Sequence, residues 1–402
     1  MNPEQTALLA WIAEQQSLML ERTITLSEVN SGSFNAAGVN RVGAMLAEWF
    51  APLGASCERI PVAPLQAIAE DGSPIAHGLG DAVRMRKRPE APIQIFFCGH
   101  LDTVFAEEHA FQKVRYLNEN QINGPGVADL KGGLIVMLTA LQALERSPYA
   151  GKIGWEVLLN PDEEIGSQSS MPLIEEAAKR CQFGMIYEPC MPNGDLAGAR
   201  KGSGNFSLVA RGRAAHAGRE HHLGRNAIRA LCDVMSEIDD LNGQREGITF
   251  NPGFIHGGGA VNVVPDMAMG RFNVRLLKME DQQWCSDALA TILDAVNQRD
   301  GIEVELHGGF TRPPKEMDAS QLKFFELARE CGATLGLDIK WHAVGGCCDG
   351  NNLAAFGVPN IDTLGVRGGK IHSDKEYMDI DSLTERAQLS AMILLRLAAE
   401  AN

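Results

Sequence analysis

The chain is poor in several features that mark whole classes of protein. Its nine cysteines are odd in number and contain no C-x-x-C pair, so they do not form a disulfide framework and they fit a reducing compartment. Positive charge is scarce: 36 Lys and Arg stand against 51 Asp and Glu, a net charge of -15. Phosphate-backbone binding needs clustered Lys and Arg to displace counterions, so nucleic acid is excluded as a partner. The first residues, Met1 to Gln5, lack a basic segment followed by an apolar one, and no apolar run is expected to reach membrane-spanning length. The expectation is a cytoplasmic protein without a membrane partner. At 402 residues with 45% hydrophobic content, two domains and a large core are expected.

What the chain does contain is a repeated pattern of apolar runs that end in acids and histidines. Ile95 to Cys98 reads as a buried parallel strand, broken by Gly99 and followed at once by His100 and Asp102. Ligands bind at the carboxyl edge of open α/β sheets, where such residues would lie. Trp155 to Leu159 ends in Asp162-Glu163-Glu164, Gly184 to Tyr187 ends in Glu188, and Ile361 to Leu364 is followed by a loop carrying His372. Asn123 to Asp129 is a glycine-containing turn before a helix over 130–146. A dinucleotide fingerprint is rejected there, because Asp129 stands where the third glycine should permit close packing. So many carboxylates at one sheet edge repel each other unless cations compensate, and nitrogen plus carboxylate donors without thiolate suit zinc, with manganese or cobalt as substitutes. Adjacent acids such as Glu163 and Glu164 can divide the work, one binding a cation and the other accepting a proton.

Other elements are expected as helices over 5–20 and 36–53, the second closed by Gly54, a strand near 58–63, and a solvated charged hairpin face over 81–90. Between about 200 and 311 the order changes to strand 206–210, helix 224–241, strands 248–256 and 267–276, helix 281–299 and strand 302–307. That β-α-β-β-α-β order is ferredoxin-like. The expected fold class is therefore α/β: a catalytic domain of residues 1–199 and 312–402 with a mostly parallel sheet flanked by helices, and an inserted ferredoxin-like α+β domain over 200–311.

The motifs G-H-L-D-T (99–103), G-V-A-D-L-K-G-G (126–133), D-E-E-I-G-S (162–167), Y-E-P (187–189), G-R-A-A-H-A-G (212–218) and H-S-D-K-E-Y (372–377) occur in an order that resembles a family of dinuclear zinc exopeptidases and deacylases. The family includes glutamate carboxypeptidase, acetylornithine deacetylase, succinyl-diaminopimelate desuccinylase and aminoacylase, and the resemblance covers nearly the whole chain, with the glutamate carboxypeptidase type the nearest. It implies two Zn²⁺ bridged by Asp129, with His100 and Glu188 on one and Glu164 and His372 on the other. Asp102 would orient His100, and Glu163 would be the general base. His216, Asn262 and Arg275 match positions that meet the substrate, the last two at its carboxylate. The resemblance further implies a cis peptide after Asp129, a lid and dimerisation role for the inserted domain, and a homodimer in which His216 serves the partner's site.

Three activities are then in play. The first is hydrolysis of an amide next to a free carboxylate in a small peptide, and the second is removal of the acyl group from an N-acyl amino acid. The third, of a different class, is a cysteine hydrolase using Cys347 or Cys348, where V-G-G-C-C-D-G-N departs from the family pattern. It leaves the acidic cluster unexplained.

Overall fold

The structure, a computed structural model, describes residues 1–400. It divides into two compact units: Met1–Pro64, Gly78–Ala199 and Lys315–Asn402 form the first, and Leu65–His77 with Arg200–Pro314 form the second.

The first unit is built on a six-stranded sheet in the order Ser56–Ile60, Ala82–Lys87, Ile153–Asn160, Ile93–His100, Phe183–Ile186, Asn360–Ile361. The last four strands run parallel and the first two are joined antiparallel, so the sheet is mixed. Strand Ile93–His100 has no polar face because both sides are covered: Ile95 and Phe97 enter one apolar cluster, and Phe96 and Cys98 enter another. The larger cluster is filled by helices Gly132–Arg146 and Asp381–Glu400. Helix Gly132–Arg146 is buried nearly all round rather than along one stripe. With the irregular turn that precedes it, Val127–Arg146 is long and apolar enough to cross a membrane, contrary to the expectation for apolar runs; 94% of its apolar stretch is buried in the protein, so that hydrophobicity fills the core.

Two further expectations are corrected. Residues 81–90 are not a solvated hairpin face, since Ala82–Lys87 is an interior strand with Ala82, Val83 and Met85 buried. The charges that suggested solvent are held by carboxylates: Arg84 by Glu58 and Glu176, Arg86 by Glu156, and Lys87 by Glu145. The N-terminal helix is two helices, Pro3–Glu14 and Gln16–Ser27. The second prediction ends as read: Ala36–Phe50 passes into one tight turn, and Gly54 closes it at φ 68°.

A four-stranded antiparallel sheet in the first unit, ordered Gly368–Gly369, Tyr377–Asp379, Gln121–Asn123, Arg115–Asn118, has no counterpart in the sequence reading. It matters because Tyr377 pairs with Asn123, which sets the loop carrying His372 beside the turn that carries Asp129.

The second unit is a four-stranded antiparallel sheet ordered Thr249–Gly257, Met267–Leu276, Gly202–Arg211, Glu303–Arg312, with helices Ala227–Asp239 and Glu280–Asn297 packed through Phe206, Leu208, Leu231, Phe272 and Leu289. This is the β-α-β-β-α-β order. The last strand runs on to Arg312, so the return falls at Pro313 and Pro314. Hairpin Leu65–Ile68 and Pro74–His77 joins this unit from far upstream, anchored by Arg271 Nη donating to the Ile68 carbonyl at 2.9 Å.

Candidate metal centre

Three of the four parallel strands deliver polar residues to the same edge. His100 closes Ile93–His100, Glu163 and Glu164 follow Ile153–Asn160, and Glu188 follows Phe183–Ile186. Asp129 lies between the turn at Gly126 (φ 71°) and the buried helix, and the Asp129–Leu130 peptide that precedes the helix is cis. The close approach that lets this helix sit under the edge is made at Gly133, where a Cβ would fall 2.1 Å from the Tyr187 carbonyl oxygen.

The two oxygens of Asp129 face two different imidazoles, one 3.1 Å from His100 Nε2 and the other 3.3 Å from His372 Nε2. Glu164 lies 3.1 Å from His372 Nε2, and Glu188 lies 3.9 Å from His100 Nε2. His100, Asp129 and Glu164 each offer an atom within 4.8 Å of the others, and so do His100, Glu163 and Glu188. His100 is fully enclosed, whereas His372 is half-exposed and sits in a left-handed backbone conformation at φ 61°.

The electrostatics show what this cluster lacks. Burial and the neighbouring charge of Asp129 push Glu164 up to about 8. His372, bonded to Asp129 and Glu164, is raised to about 11. Burial opposes charge on His100, yet its bonds to Asp102 and Asp129 outweigh that and hold it well above its ordinary value. Four carboxylates around two imidazoles thus draw in protons where positive charge is wanted. Oxygen and imidazole donors without thiolate are the chemistry of a divalent cation site, so the residues fit such a group.

Behind the donors lies a layer of buried carboxylates. Asp102 turns its carbonyl, rather than its carboxylate, closest to His100: the Nδ1 distances are 2.9 Å and 3.4 Å. Its carboxylate instead accepts from Ser33 Oγ at 2.7 Å and from the backbone N–H groups of Glu163 and Glu164 at 3.2 Å each, so it fixes the acidic loop as well. Asp349 holds the base of that loop through Asn160 Nδ2 (2.7 Å) and Ser167 Oγ (2.6 Å). Glu376 accepts from the backbone N–H groups of Gly126 (3.1 Å), Ala128 (3.0 Å) and Asp129 (3.0 Å). Ser33, Asp349 and Glu376 were not singled out from the sequence, although Asp349, inside V-G-G-C-C-D-G-N, and Glu376, inside H-S-D-K-E-Y, each stood in a motif that could have drawn attention.

The remaining candidates lie elsewhere. His216, Asn262 and Arg275 belong to the second unit. There the strand of His216 pairs with Val263, and Ala217 N–H donates to the Asn262 carbonyl at 2.9 Å, so His216 and Asn262 share one exposed corner. Arg275 lies on the sheet and donates to Asn273 at 2.8 Å. Cys348 is buried and caps helix Asp349–Ala355, its sulfur accepting from Gly350 N–H at 3.3 Å.

Residues 96–396 match the model of peptidase family M20/M25/M40. Carboxypeptidase G2 of Pseudomonas sp. (strain RS-16) is 26% identical over 394 residues, covering 96% of this chain and 91% of its own. Succinyl-diaminopimelate desuccinylase of Azoarcus sp. (strain BH72) is 26% identical over 358 residues, covering 84% and 88%. A dinuclear metal-binding peptidase of the M20 family from Bacillus subtilis superposes with a TM-score of 0.67 at 15% identity, covering 96% of this chain and 99% of its own. The family is metal-dependent, which the donor set at the sheet edge explains and a cysteine nucleophile does not. The chain belongs to peptidase family M20/M25/M40 and is a metallohydrolase acting on amide bonds.

Proposed function

We propose that the chain hydrolyses an amide bond next to a free carboxylate, in the manner of a glutamate carboxypeptidase, with N-acyl-amino-acid deacylation as the second reading. The observation that carries the proposal is the Asp129 carboxylate, whose two oxygens face His100 and His372 at 3.1 and 3.3 Å amid three further acids. In this reading Asp129 would be shared between two cations, preferentially Zn²⁺, of which His100 and Glu188 would hold one and Glu164 and His372 the other. Two such cations, when bound, polarise an amide carbonyl and make water acidic enough to attack it.

The protein's own residues do the rest. Asp102, through its carbonyl, keeps the Nδ1 proton of His100 in place, so that Nε2 presents its lone pair inward. Glu163 keeps its lone pairs for a proton: its carboxylate takes one from the attacking water and returns it to the leaving amine nitrogen. Arg275 and Asn262 hold the substrate's free carboxylate, and His216 reaches the scissile carbonyl. The last role suits a homodimer formed through the second unit, whose outer strand Thr249–Gly257 and nearby Val261, fully exposed, leave pairing and apolar surface for a second copy. Relatives named as a carboxypeptidase and a desuccinylase support the reaction class at 26% identity.

The test is a panel of C-terminal glutamate and aspartate dipeptides and N-acyl amino acids, assayed with added Zn²⁺. Activity should disappear with chelator, return with metal and survive alkylation of Cys347. Activity that resists chelation and is lost on alkylation would reverse the assignment.

A further inference from the structure

A cavity of about 370 Å³ opens beside Glu164 and lies wholly within the first unit. Its walls are two loops, 29–35 and 101–108, stitched together by Thr103 N–H on the Ser31 carbonyl (2.9 Å), Ser33 N–H on the Thr103 carbonyl (3.2 Å), and Asn30 Nδ2 on the Phe105 and Ala106 carbonyls (3.1 and 3.0 Å). The loops meet so closely that a Cβ on Gly32 would fall 2.4 Å from the Phe105 carbonyl oxygen. The cavity is thus formed before any ligand arrives, as binding pockets usually are.

Its lining is apolar with acidic edges. Phe34, Val104 and Ile165 supply the apolar surface, Glu107 and Glu108 stand exposed at the rim, and among the described residues no Lys, Arg or His contributes. One feature opposes that charge: the cavity touches Asn35 at the start of helix Ala36–Phe50, whose N-terminus carries roughly half a positive charge. Asn35 already accepts from Gly38 N–H at 3.0 Å, and two full carboxylates outweigh the remainder.

We infer that this cavity receives the half of the substrate that lacks the free carboxylate, and that it selects an aromatic or aliphatic acyl group, neutral or cationic, over an anionic one. The inference rests on the amide-hydrolase reading of the neighbouring centre. No basic side chain among the described residues lines the cavity to hold the substrate's carboxylate, so that carboxylate belongs to the other side of the scissile bond. An aryl acyl group can lie against Phe34 and Val104, whereas a succinyl group would bring its second carboxylate up to Glu107 and Glu108. Each exposed like-charge encounter at a few ångströms disfavours binding by roughly fivefold in water.

The experiment compares kcat/KM of the Zn²⁺-loaded enzyme for N-benzoyl-, N-acetyl- and N-succinyl-glutamate, which share one leaving group. The benzoyl substrate should exceed the succinyl one by about tenfold or more, and the ratio should shrink as salt is raised from low to about 0.5 M, where exposed charges are screened. In Glu107→Gln/Glu108→Gln the benzoyl-to-succinyl ratio should fall by about 3- to 10-fold. Phe34→Ala should lower the benzoyl-to-acetyl ratio. Preference for the succinyl substrate, or a ratio indifferent to both salt and the double substitution, overturns the pocket assignment while leaving the hydrolase reading intact. Failure to cleave any of the three or any member of the wider panel overturns both.

Discussion

Replacing Glu376 by Gln asks how far a carboxylate that is not itself a donor controls the centre. One Glu376 oxygen accepts from Ala128 and Asp129 N–H, and the other accepts from Gly126 N–H, all within 3.0–3.1 Å. Glutamine has one carbonyl oxygen, so its best arrangement keeps the first two bonds and turns its NH₂ toward the Gly126 N–H. One hydrogen bond to a charged acceptor is lost, about 1.5–3 kcal/mol, and two donors are left facing each other. Glu376 is only 1% exposed, so water cannot easily repair the gap. Because the loosened turn carries Asp129, the loss is expected in cation binding: affinity falls about 10- to 100-fold, the range seen when partners behind metal ligands are removed. The assay is Zn²⁺ or Co²⁺ titration against a chromophoric chelator, with circular dichroism to show that the fold survives. Unchanged metal affinity in a folded Glu376→Gln protein would refute the idea that this carboxylate positions Asp129.

Two predictions concern stability. Burial alone would raise Glu145, but bonds from Arg88, Lys87 and Trp155 reverse this and lower it from 4.5 to about 2. Its pKa is depressed in the folded state, so its contribution should be complete above about pH 4.5 and vanish as pH falls through about 2. The difference in urea midpoint between the native protein and Glu145→Gln should therefore shrink between pH 5 and pH 2, and a difference that grows toward acid would contradict this. Lys315 and Asp362 form an ion pair at 2.8 Å with both side chains fully buried. Lys315→Met leaves Asp362 without its cation and should cost about 3–5 kcal/mol in denaturant unfolding, whereas a loss below about 1 kcal/mol would show that the pair is not isolated from water.

The edge residues were legible because chemistry and strand signals coincide there. Apolar runs ending at His100, Glu163 and Glu188 announce a buried parallel strand and its functional end together. The second unit was readable from its alternating periods, and the hydrolase class from the order of motifs. What stayed hidden depends on partners distant in sequence. Arg84 and Arg86 read as solvent-facing until Glu58, Glu176 and Glu156 arrive from other elements. Hairpin 65–77 joins a unit that begins more than a hundred residues later. Glu376 and Asp349 act on backbone N–H groups and on neighbouring polar side chains of the site loops, contacts that follow from the fold and leave no periodicity to find. The helix at Gly132–Arg146 is buried nearly all round, which its small residues Gly132, Gly133 and Ala140, carrying little hydrophobic signal, do not announce.

The central claim is a division of labour between two adjacent acids, Glu164 holding a cation and Glu163 moving a proton. Metal content measured beside kinetics in Glu163→Gln and Glu164→Gln tests it most directly. Glu163→Gln should retain two metals per chain while kcat falls by about 10²- to 10⁴-fold, and Glu164→Gln should lose one metal. A metal-depleted Glu163→Gln protein, or an inactive Glu164→Gln protein with both metals in place, would contradict the account.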